Sequence, residues 1–331
     1  MQLRKYQKKL IRGTIEALKT HRRVAMIAPT GSGKTVMATQ ICKAFQPVLW
    51  IAHQRELLTQ ARSALEAEKM PYLAGTPVNN RCGFNILSAA SRNTPRFHHR
   101  LVVIDEFHHE ACKTYRNLIN ELSFDRLLGI TATRTRLDRH TLGFDKLVDY
   151  LRPEKLVELG FLAPVRLFRV RTPLPHAADL AVWANEHRNY IGRTIFFVKN
   201  LKEADQIKSM LTMPAEVISG KSDRESQIQA FRDGKIQVLI ACLVLTEGVD
   251  LPMCRTAILG RMTQSKTMVS QMVGRVLRLH ETKKHCNVVE PAALFGNSDH
   301  VSAESVMKPN EKYVSTPRVI GAVSFKTRRV G

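Results

Sequence analysis

A glycine-rich turn that follows an apolar run constrains this chain more than any other feature. Residues 28–35 read Ala-Pro-Thr-Gly-Ser-Gly-Lys-Thr, directly after the apolar residues 24–27. A buried strand that runs into such a turn cradles an anion with its backbone N–H groups, while the lysine reaches the β- and γ-phosphates and the threonine binds Mg²⁺. Because Ala28 replaces the first glycine of the strict pattern, the motif alone also fits an ordinary loop. The cradle predicts a nucleoside triphosphate site formed by Thr30, Gly31, Ser32, Gly33, Lys34 and Thr35.

A second candidate site follows the apolar residues 101–104. Four consecutive apolar residues suit a strand buried on both faces of a parallel sheet, which presents its chemistry at the carboxyl ends of its strands. There Asp105 is placed to hold Mg²⁺, and Glu106 to deprotonate the water that attacks the γ-phosphate. Taken alone, the same pair also suits a cap for the next helix. The phosphate cradle upstream favours the catalytic interpretation.

The charge balance indicates the class of partner. Lys and Arg total 51 against 29 Asp and Glu, which gives a formal net charge of +22. An excess of this size repels itself and points to a polyanion, with nucleic acid as the favoured partner. A solvated basic surface without a ligand is the alternative. The length of 331 residues suits two domains of about 150 residues each.

The apolar segments and the cysteines bound the compartment. The chain has no run of 18 or more apolar residues, and residues 1–5 lack the apolar core of a signal peptide, so we expect a cytoplasmic protein without a membrane partner. His108, His109 and Cys112 lack a fourth ligand at a zinc-like spacing, and no metal centre is expected there. The six cysteines form no C-x-x-C pair and are expected to be reduced core residues at positions 42, 82, 112, 242, 254 and 286.

Both halves of the chain alternate strand-like and helix-like stretches. This alternation predicts an α/β fold in which parallel sheets are flanked by helices. The prolines at 153, 164, 173 and 175 indicate a linker or hinge at about 150–190, and Ser222 with Glu225 predicts a capping box that opens a helix over 222–232. Further helices are predicted over 34–45 and 54–68, and strands near 24–28, 47–52, 84–88, 101–105, 126–131, 194–198, 215–219, 236–241, 256–259 and 286–289.

Polar residues at helical spacing follow in the second half. On a helix, Gln271, Gly274, Arg275 and Arg278 fall at i, i+3, i+4 and i+7 and share one face. Such a face can close over a phosphate from the opposite domain, and the two arginines then neutralise charge as the γ-phosphoryl group leaves. A surface helix held by salt bridges is the alternative interpretation.

Taken in order, these motifs resemble those of the superfamily 2 helicases and translocases along nearly the whole chain. The stretch 3–7 resembles the adenine-reading element of that family, in which Gln7 suits a bidentate contact with the adenine edge. Residues 28–35 match motif I, and residues 52–57 resemble motif Ia. Asp-Glu-Phe-His at 105–108 is a form of motif II, closest to the DEAH pattern, in which Phe107 replaces a small residue.

The remaining motifs follow in the second part of the series. Thr-Ala-Thr at 131–133 matches motif III, residues 195–198 resemble motif IV, Thr-Glu-Gly-Val-Asp at 246–250 matches motif V, and residues 271–278 match motif VI. The resemblance implies two tandem RecA-like domains over residues 1–160 and 161–331. It further implies that ATP and Mg²⁺ bind to the first domain and that arginines of the second domain complete hydrolysis.

The resemblance also assigns roles to individual residues. Glu106, Lys34, Arg275, Arg278 and Gln271 would be catalytic, and Thr35 with Asp105 would hold the metal. Nucleotide contacts would include Gln7, Gly248 and Asp250 beside the cradle, and coupling of the nucleotide to domain closure would rest on His108, Thr131 and Thr133. Contacts with nucleic acid would come from Arg55, Ser88, Lys199, Gly220, Lys221 and Thr246.

The form of the motifs favours DNA over RNA. The Gln-x-x-Gly-Arg-x-x-Arg form of motif VI resembles the branch that includes type III restriction motor subunits and phage DNA helicases. RNA-unwinding DEAD-box relatives usually show Asp-Glu-Ala-Asp, Ser-Ala-Thr and a His-Arg start to motif VI, and this chain has none of the three. We therefore expect an ATP-dependent DNA helicase or translocase. An RNA-stimulated ATPase and a nucleic-acid-binding adaptor with a vestigial ATPase are the alternatives.

Overall fold

The chain divides into two compact units, Met1–Arg152 and Pro153–Gly331. The structure is a computed structural model, and each unit is described by itself. None of the helices in the described part of the chain has both the length and the apolar character that a membrane span requires. The described residues are 2–52, 55–74, 84–88, 97–107, 113–132, 143–149, 151–171, 177–220, 222–242, 249–292, 300–315 and 328–330.

The first unit is built on a seven-stranded parallel sheet with the strand order β3-β4-β2-β5-β6-β1-β7. Its strands are β1 (Arg23–Ile27), β2 (Val48–Ala52), β3 (Tyr72–Ala74), β4 (Phe84–Ser88), β5 (His99–Asp105), β6 (Phe124–Thr131) and β7 (Lys146–Val148). Its helices are α1 (Lys5–Thr20), α2 (Lys34–Cys42), α3 (Arg55–Ala67) and α4 (Lys113–Glu121).

Apolar runs set the core of this unit. Every residue of β2 is buried, and so are the five residues at the end of β5, because helices cover both faces of a parallel sheet. Helix α1 buries one apolar stripe, which includes Leu10, Ala17 and Leu18, and leaves a charged stripe on its opposite side. The parallel arrangement brings the carboxyl ends of β1, β5 and β6 to one edge of the sheet.

The second unit contains an eight-stranded sheet with the order β10-β11-β9-β12-β13-β8-β14-β15, which is parallel except for the final pair. Its strands are β8 (Val165–Val170), β9 (Thr194–Val198), β10 (Ala215–Ile218), β11 (Val238–Cys242), β12 (Thr256–Leu259), β13 (Cys286–Pro291), β14 (Glu311–Ser315) and β15 (Arg328–Val330). Its helices are α5 (Pro153–Glu158), α6 (Ala177–Glu186), α7 (Arg188–Ile191), α8 (Leu201–Met210), α9 (Arg224–Arg232), α10 (Lys266–Gly274) and a 3₁₀ turn, Ala303–Ser305.

The architecture confirms the predicted fold class of parallel sheets flanked by helices. The segment 150–190, expected to serve as a linker, instead contributes β8 between β13 and β14 and the helix α6, whose Trp183 is fully buried. The prolines there interrupt the chain between elements of the second unit, because proline suits turns as well as linkers. Cys42, Cys242, Cys254 and Cys286 are buried free thiols, as expected, and Cys82 and Cys112 lie outside the described residues.

The capping box predicted for α9 is wrong. The helix begins at Arg224, and its N-cap is Asp223, whose carboxylate accepts a hydrogen bond from the backbone N–H of Ser226 at 3.3 Å. The Ser222 hydroxyl bonds to the preceding turn instead, donating to the carbonyl of Ser219 at 3.2 Å. A carboxylate and a hydroxyl both suit an N-cap, and the turn before the helix engages the hydroxyl first.

Candidate nucleotide site and the arginine segment

The glycine-rich turn joins β1 to the first residue of α2, Lys34. Gly31 has φ of 84° and Gly33 has φ of 82°, in the left-handed region that side chains rarely adopt. A Cβ atom on Gly33 would also lie only 2.7 Å from Nε2 of Gln7. Only glycine therefore fits this point of the turn, which leads directly into the N-terminus of a helix. Helix N-termini present unpaired N–H groups to anions.

The first turn of α1 holds the cradle from behind. Gln7 is buried, its Nε2 donates to the carbonyl of Ser32 at 3.1 Å, and its Oε1 accepts from the backbone N–H of Arg4 at 2.9 Å. The hydroxyl of Tyr6 donates to the same Ser32 carbonyl at 2.9 Å. Gln7 was predicted to contact adenine, and its described hydrogen bonds position the cradle. Sequence reasoning missed Tyr6, although its place next to Gln7 was the available signal.

The structure brings Lys34 and Glu106 together. Their Nζ and Oε1 atoms lie 3.8 Å apart, and each side chain is only 10% exposed. The strand β5 ends at Asp105, whose Oδ1 accepts the backbone N–H of Glu106 at 3.0 Å. Glu106 itself has φ of 50°, which is left-handed for a residue with a side chain. The chain reverses there, and the carboxylate of Glu106 comes beside the ammonium of the cradle.

Phe107 explains how this chain accommodates a large residue after the Asp-Glu pair. Its ring is fully buried and packs against Phe144, with 4.2 Å between the ring centroids. A Cβ atom on Gly129 of β6 would lie 2.9 Å from the Phe107 ring and 2.2 Å from that of Phe144. Gly129 thus makes room for both rings. The departure from the family pattern is accommodated by packing and leaves Asp105 and Glu106 at the strand end.

The residues present fit a magnesium–triphosphate group. Two left-handed glycines, a helix N-terminus and a partly buried lysine form a cradle for phosphate, which a side chain on Gly33 would obstruct. Thr35 is the second residue of α2, and buried Asp105 lies at the end of β5. No cluster of three or more His, Cys, Asp or Glu residues suited to a metal occurs among the described residues. One carboxylate and one hydroxyl match Mg²⁺, which takes most of its other ligands from phosphates and water.

In the second unit, two arginines bind one backbone segment. Nη1 of Arg275 donates to the carbonyl of Val249 at 2.5 Å, and the guanidinium of Arg278 pairs with the carboxylate of Asp250. The predicted helical face is wrong in part, because α10 ends at Gly274 and Arg278 lies beyond it. Gln271 is buried within α10. The arginines therefore extend from the turn after the helix toward residues 249–250.

The other predicted site residues lie at strand and helix ends or outside the described residues. Thr131 is the buried last residue of β6, and Ser88 is the last residue of β4. Lys199 follows β9 and is exposed, and its N–H donates to Oε2 of Glu203 at 2.6 Å. Gly220 lies in the turn after β10, and Arg55 is the first residue of α3. The predictions for His108, Thr133, Lys221, Thr246 and Gly248 fall outside the described residues.

A buried lysine that sequence reasoning missed supports the arginine segment. Lys283 is 5% exposed, and its Nζ donates to the carbonyls of Cys254 at 2.6 Å and Val276 at 2.8 Å. Burial lowers the pKa of this ammonium. Val276 lies directly after Arg275, so Lys283 ties the turn that carries the arginines to the loop before β12. A lysine beside a second, exposed Lys284 gave no signal of burial in the sequence.

We expect Lys283→Met to lower the free energy of unfolding by about 2 kcal/mol, because two buried carbonyls lose their donor while the side-chain volume is kept. Chemical denaturation followed by circular dichroism measures the change. The matched control is Lys284→Met, where an exposed lysine is replaced and the change should stay within about 0.5 kcal/mol. Equal stabilities for the two variants would contradict the role of Lys283.

Two family models match the chain, one in each unit. Residues 1–136 match the model described as "Type III restriction enzyme, res subunit", and residues 177–280 match the "Helicase conserved C-terminal domain". The two matches cover the cradle and the Asp-Glu pair in the first unit and the arginine segment in the second.

Individual proteins give the same picture. The chain is 26% identical over 348 residues to a Schizosaccharomyces pombe protein provisionally named mitochondrial ATP-dependent helicase irc3, covering 88% of this chain and 57% of that protein. It is 23% identical to the DNA 3'-5' translocase XPB2 of Sulfurisphaera tokodaii, covering 84% of this chain and 79% of that one. The chain thus spans little more than half the length of the first curated relatives that it matches.

Solved structures share the fold. A fragment provisionally assigned as the HsdR subunit of a type I restriction enzyme from Vibrio vulnificus aligns with a TM-score of 0.72 and 20% identity, covering 94% of this chain and 68% of that one. Dbp5 of S. cerevisiae, solved with RNA and ADP BeF3, aligns with a TM-score of 0.68 and 16% identity, covering 93% of this chain and 90% of that one.

Two parallel sheets of RecA-like type, one of which carries a phosphate cradle with an acidic pair, define the class of P-loop nucleoside triphosphatases with tandem RecA-like domains. Within that class, the family models and the relatives place the chain among the superfamily 2 helicases.

Proposed function

We propose that this chain hydrolyses ATP and uses the energy to translocate along nucleic acid or to unwind it, with DNA as the substrate. The observation that carries the proposal is the pairing of Lys34 with Glu106 at the end of the glycine-rich turn. A lysine that binds the β- and γ-phosphates and a carboxylate that activates water must act on the same phosphoryl group. Their separation of 3.8 Å is of the right scale for that task.

The first unit supplies the nucleotide site in this proposal. Residues 30–35 hold the triphosphate, and Thr35 and Asp105 hold Mg²⁺, which neutralises charge on the β- and γ-phosphates when bound. Gln7 is within reach of the cradle through Ser32 and reads the adenine or transmits its presence. His108, Thr131 and Thr133 are proposed to couple the nucleotide to movement of the domains.

The second unit completes hydrolysis, and ATP is proposed to lie in the cleft between the domains. Arg275 and Arg278 are positioned on residues 249–250 by a hydrogen bond and an ion pair, which hold both guanidinium groups in defined places. Positioned arginines stabilise the charge that develops on a transferring phosphoryl group. Gln271 lies buried one turn before them on α10. Gly248 and Asp250 are proposed to face the nucleotide.

Nucleic acid is proposed to contact the carboxyl ends of the strands. Ser88, Lys199 and Gly220 each lie at or just after such an end, on β4, β9 and β10. Arg55, Lys221 and Thr246 are proposed to add contacts from the same motifs. The net charge of +22 suits a polyanionic track.

The preference for DNA rests on the relatives. XPB2 is named as a DNA translocase, and the model that matches residues 1–136 describes a restriction enzyme subunit. Dbp5, which was solved with RNA, shares the fold at 16% identity. The proposal therefore takes DNA as the substrate and treats RNA as the competing outcome of the test.

The deciding experiment is an ATP hydrolysis assay with single-stranded DNA, duplex DNA, forked DNA and RNA as separate stimulants. We expect the DNA substrates to raise turnover well above the basal rate and above the rate with RNA. Strongest stimulation by RNA would overturn the substrate assignment. Full nucleic acid binding without any hydrolysis would support an adaptor with a vestigial ATPase.

A further inference from the structure

Helix α1 carries a face of one charge. Lys5, Lys8, Lys9, Arg12 and Lys19 are all exposed, and at 3.6 residues per turn they fall within about 100° of arc around the helix axis. We call these five residues the basic face of α1. The one acidic residue of the helix, Glu16, also lies on this side, and its Oε1 accepts from Nζ of Lys19 at 2.8 Å. The rest of the face therefore keeps its positive charge.

The stability of the helix does not explain this arrangement. Lys5 and Lys8 are three residues apart, and Lys8 and Arg12 are four apart, so like charges stand at spacings where they repel. Positive charge in the first turns also opposes the helix dipole, and the first turn of α1 contains no acidic residue. The side chains of Lys5, Lys8 and Arg12 have no ion-pair partner among the residues that the structure describes. An isolated α1 would be more stable with acidic residues at these positions.

Packing does not explain the arrangement either. The opposite side of α1 is occupied by buried residues such as Leu10, Thr14 and Leu18, and its first turn holds the cradle through Tyr6 and Gln7. The basic face points away from those contacts and is free of apolar side chains. A membrane surface would take up an amphipathic helix by its apolar side. Here that side is already buried in the core of the unit, and only an electrostatic partner fits.

We propose that the basic face of α1 binds the phosphate backbone of nucleic acid, as a contact separate from those proposed at the strand ends. From Lys5 to Lys19 the helix rises by about 21 Å, which matches about six phosphates of one duplex strand at 3.4 Å each. The polyanion relieves the repulsion between the cations, and this accounts for a helix that keeps them. The inference rests on the proposed function, because it assumes that the chain acts on nucleic acid.

The test compares two triple variants of the full chain. The first is Lys5→Glu with Lys8→Glu and Arg12→Glu. The control, Lys146→Glu with Lys235→Glu and Lys308→Glu, makes the charge change of the first variant at exposed lysines on three other elements. Binding to a fluorescent duplex and to a single strand is measured across a range of salt concentrations, and thermal unfolding is measured without nucleic acid.

We expect opposite effects on binding and stability for the α1 variant. Its plot of log K against log salt should be shallower than that of the wild type by about two to three units, at about 0.7 to 0.9 per lost phosphate contact. Its melting temperature should rise, because acidic residues replace repelling cations near the helix N-terminus. The control should keep the wild-type slope.

Three outcomes would overturn the inference. One is a slope equal to that of the control, and another is a melting temperature that falls, since the cations would then serve the fold. The third is binding of the wild type to anionic vesicles in place of nucleic acid. A wild-type protein that shows neither ATP hydrolysis nor nucleic acid binding would instead contradict the proposed function itself. Wild-type activity with an unchanged slope in the α1 variant would contradict only the basic face.

Discussion

Replacing Lys34 by alanine is expected to reduce ATP turnover by about 10³-fold or more while the protein stays folded. The substitution removes the point charge from the β- and γ-phosphates, and it takes away the cation that lies 3.8 Å from Glu106. It removes no residue of the apolar core. A phosphate-release assay measures turnover, and far-UV circular dichroism with thermal unfolding reports on the fold.

The matched control for this variant is Lys43→Ala. Lys43 caps the other end of α2, and its Nζ donates to Oε2 of Glu68 at 2.7 Å on the surface. Turnover of this control should stay near that of the wild type, because exposed ion pairs contribute little. Hydrolysis at the wild-type rate by Lys34→Ala would remove the nucleotide site from the glycine-rich turn.

Arg275→Ala is expected to slow hydrolysis by about 10³-fold and to leave the affinity for ATP nearly unchanged. The cradle that binds the triphosphate belongs to the first unit, whereas Arg275 is proposed to stabilise the charge that appears only as the phosphoryl group is transferred. Binding is measured with a fluorescent ATP analogue, and turnover by phosphate release. The ratio of the two effects separates a catalytic arginine from a structural one.

A suitable control is Arg232→Ala, because Nη2 of Arg232 also contacts the segment 249–250, donating to the carbonyl of Asp250 at 3.2 Å. This variant removes an arginine contact from the segment and leaves Arg275 and Arg278 in place. Its turnover should remain within a few-fold of the wild type. If Arg232→Ala and Arg275→Ala slowed hydrolysis equally, Arg275 would only hold the segment in position.

Local patterns in the sequence sufficed for the parts of the fold that depend on local patterns. The strands over 194–198 and 256–259 have the predicted bounds, because continuous apolar runs bounded by polar residues leave little choice of register. The glycine-rich turn and the Asp-Glu pair could be placed at strand ends for the same reason. Their approach to 3.8 Å follows from the parallel order of β1, β6 and β5, which no single motif encodes.

Tertiary contacts decided what the sequence could not. Helical periodicity continues to Arg278, yet α10 ends at Gly274, because the carbonyls of the following turn bind elsewhere. The carbonyl of Val276 accepts from Lys283, and the carbonyl of Leu277 accepts from the backbone N–H of Ala163 at 2.7 Å. Both partners are distant in the sequence or unremarkable in type. The role of Tyr6 was missed for the same reason, since a tyrosine hydroxyl can find its acceptor in any neighbouring loop.

The left-handed backbone of Glu106 sets the fold and the chemistry against each other. A residue with a side chain costs about 1 kcal/mol or more in this conformation, whereas glycine adopts it freely. A library of variants screened only for survival at high temperature should therefore enrich substitution of Glu106 by glycine. The enriched proteins would be the ones without the carboxylate beside Lys34. Engineering this chain for heat resistance calls for position 106 to be held constant from the first round.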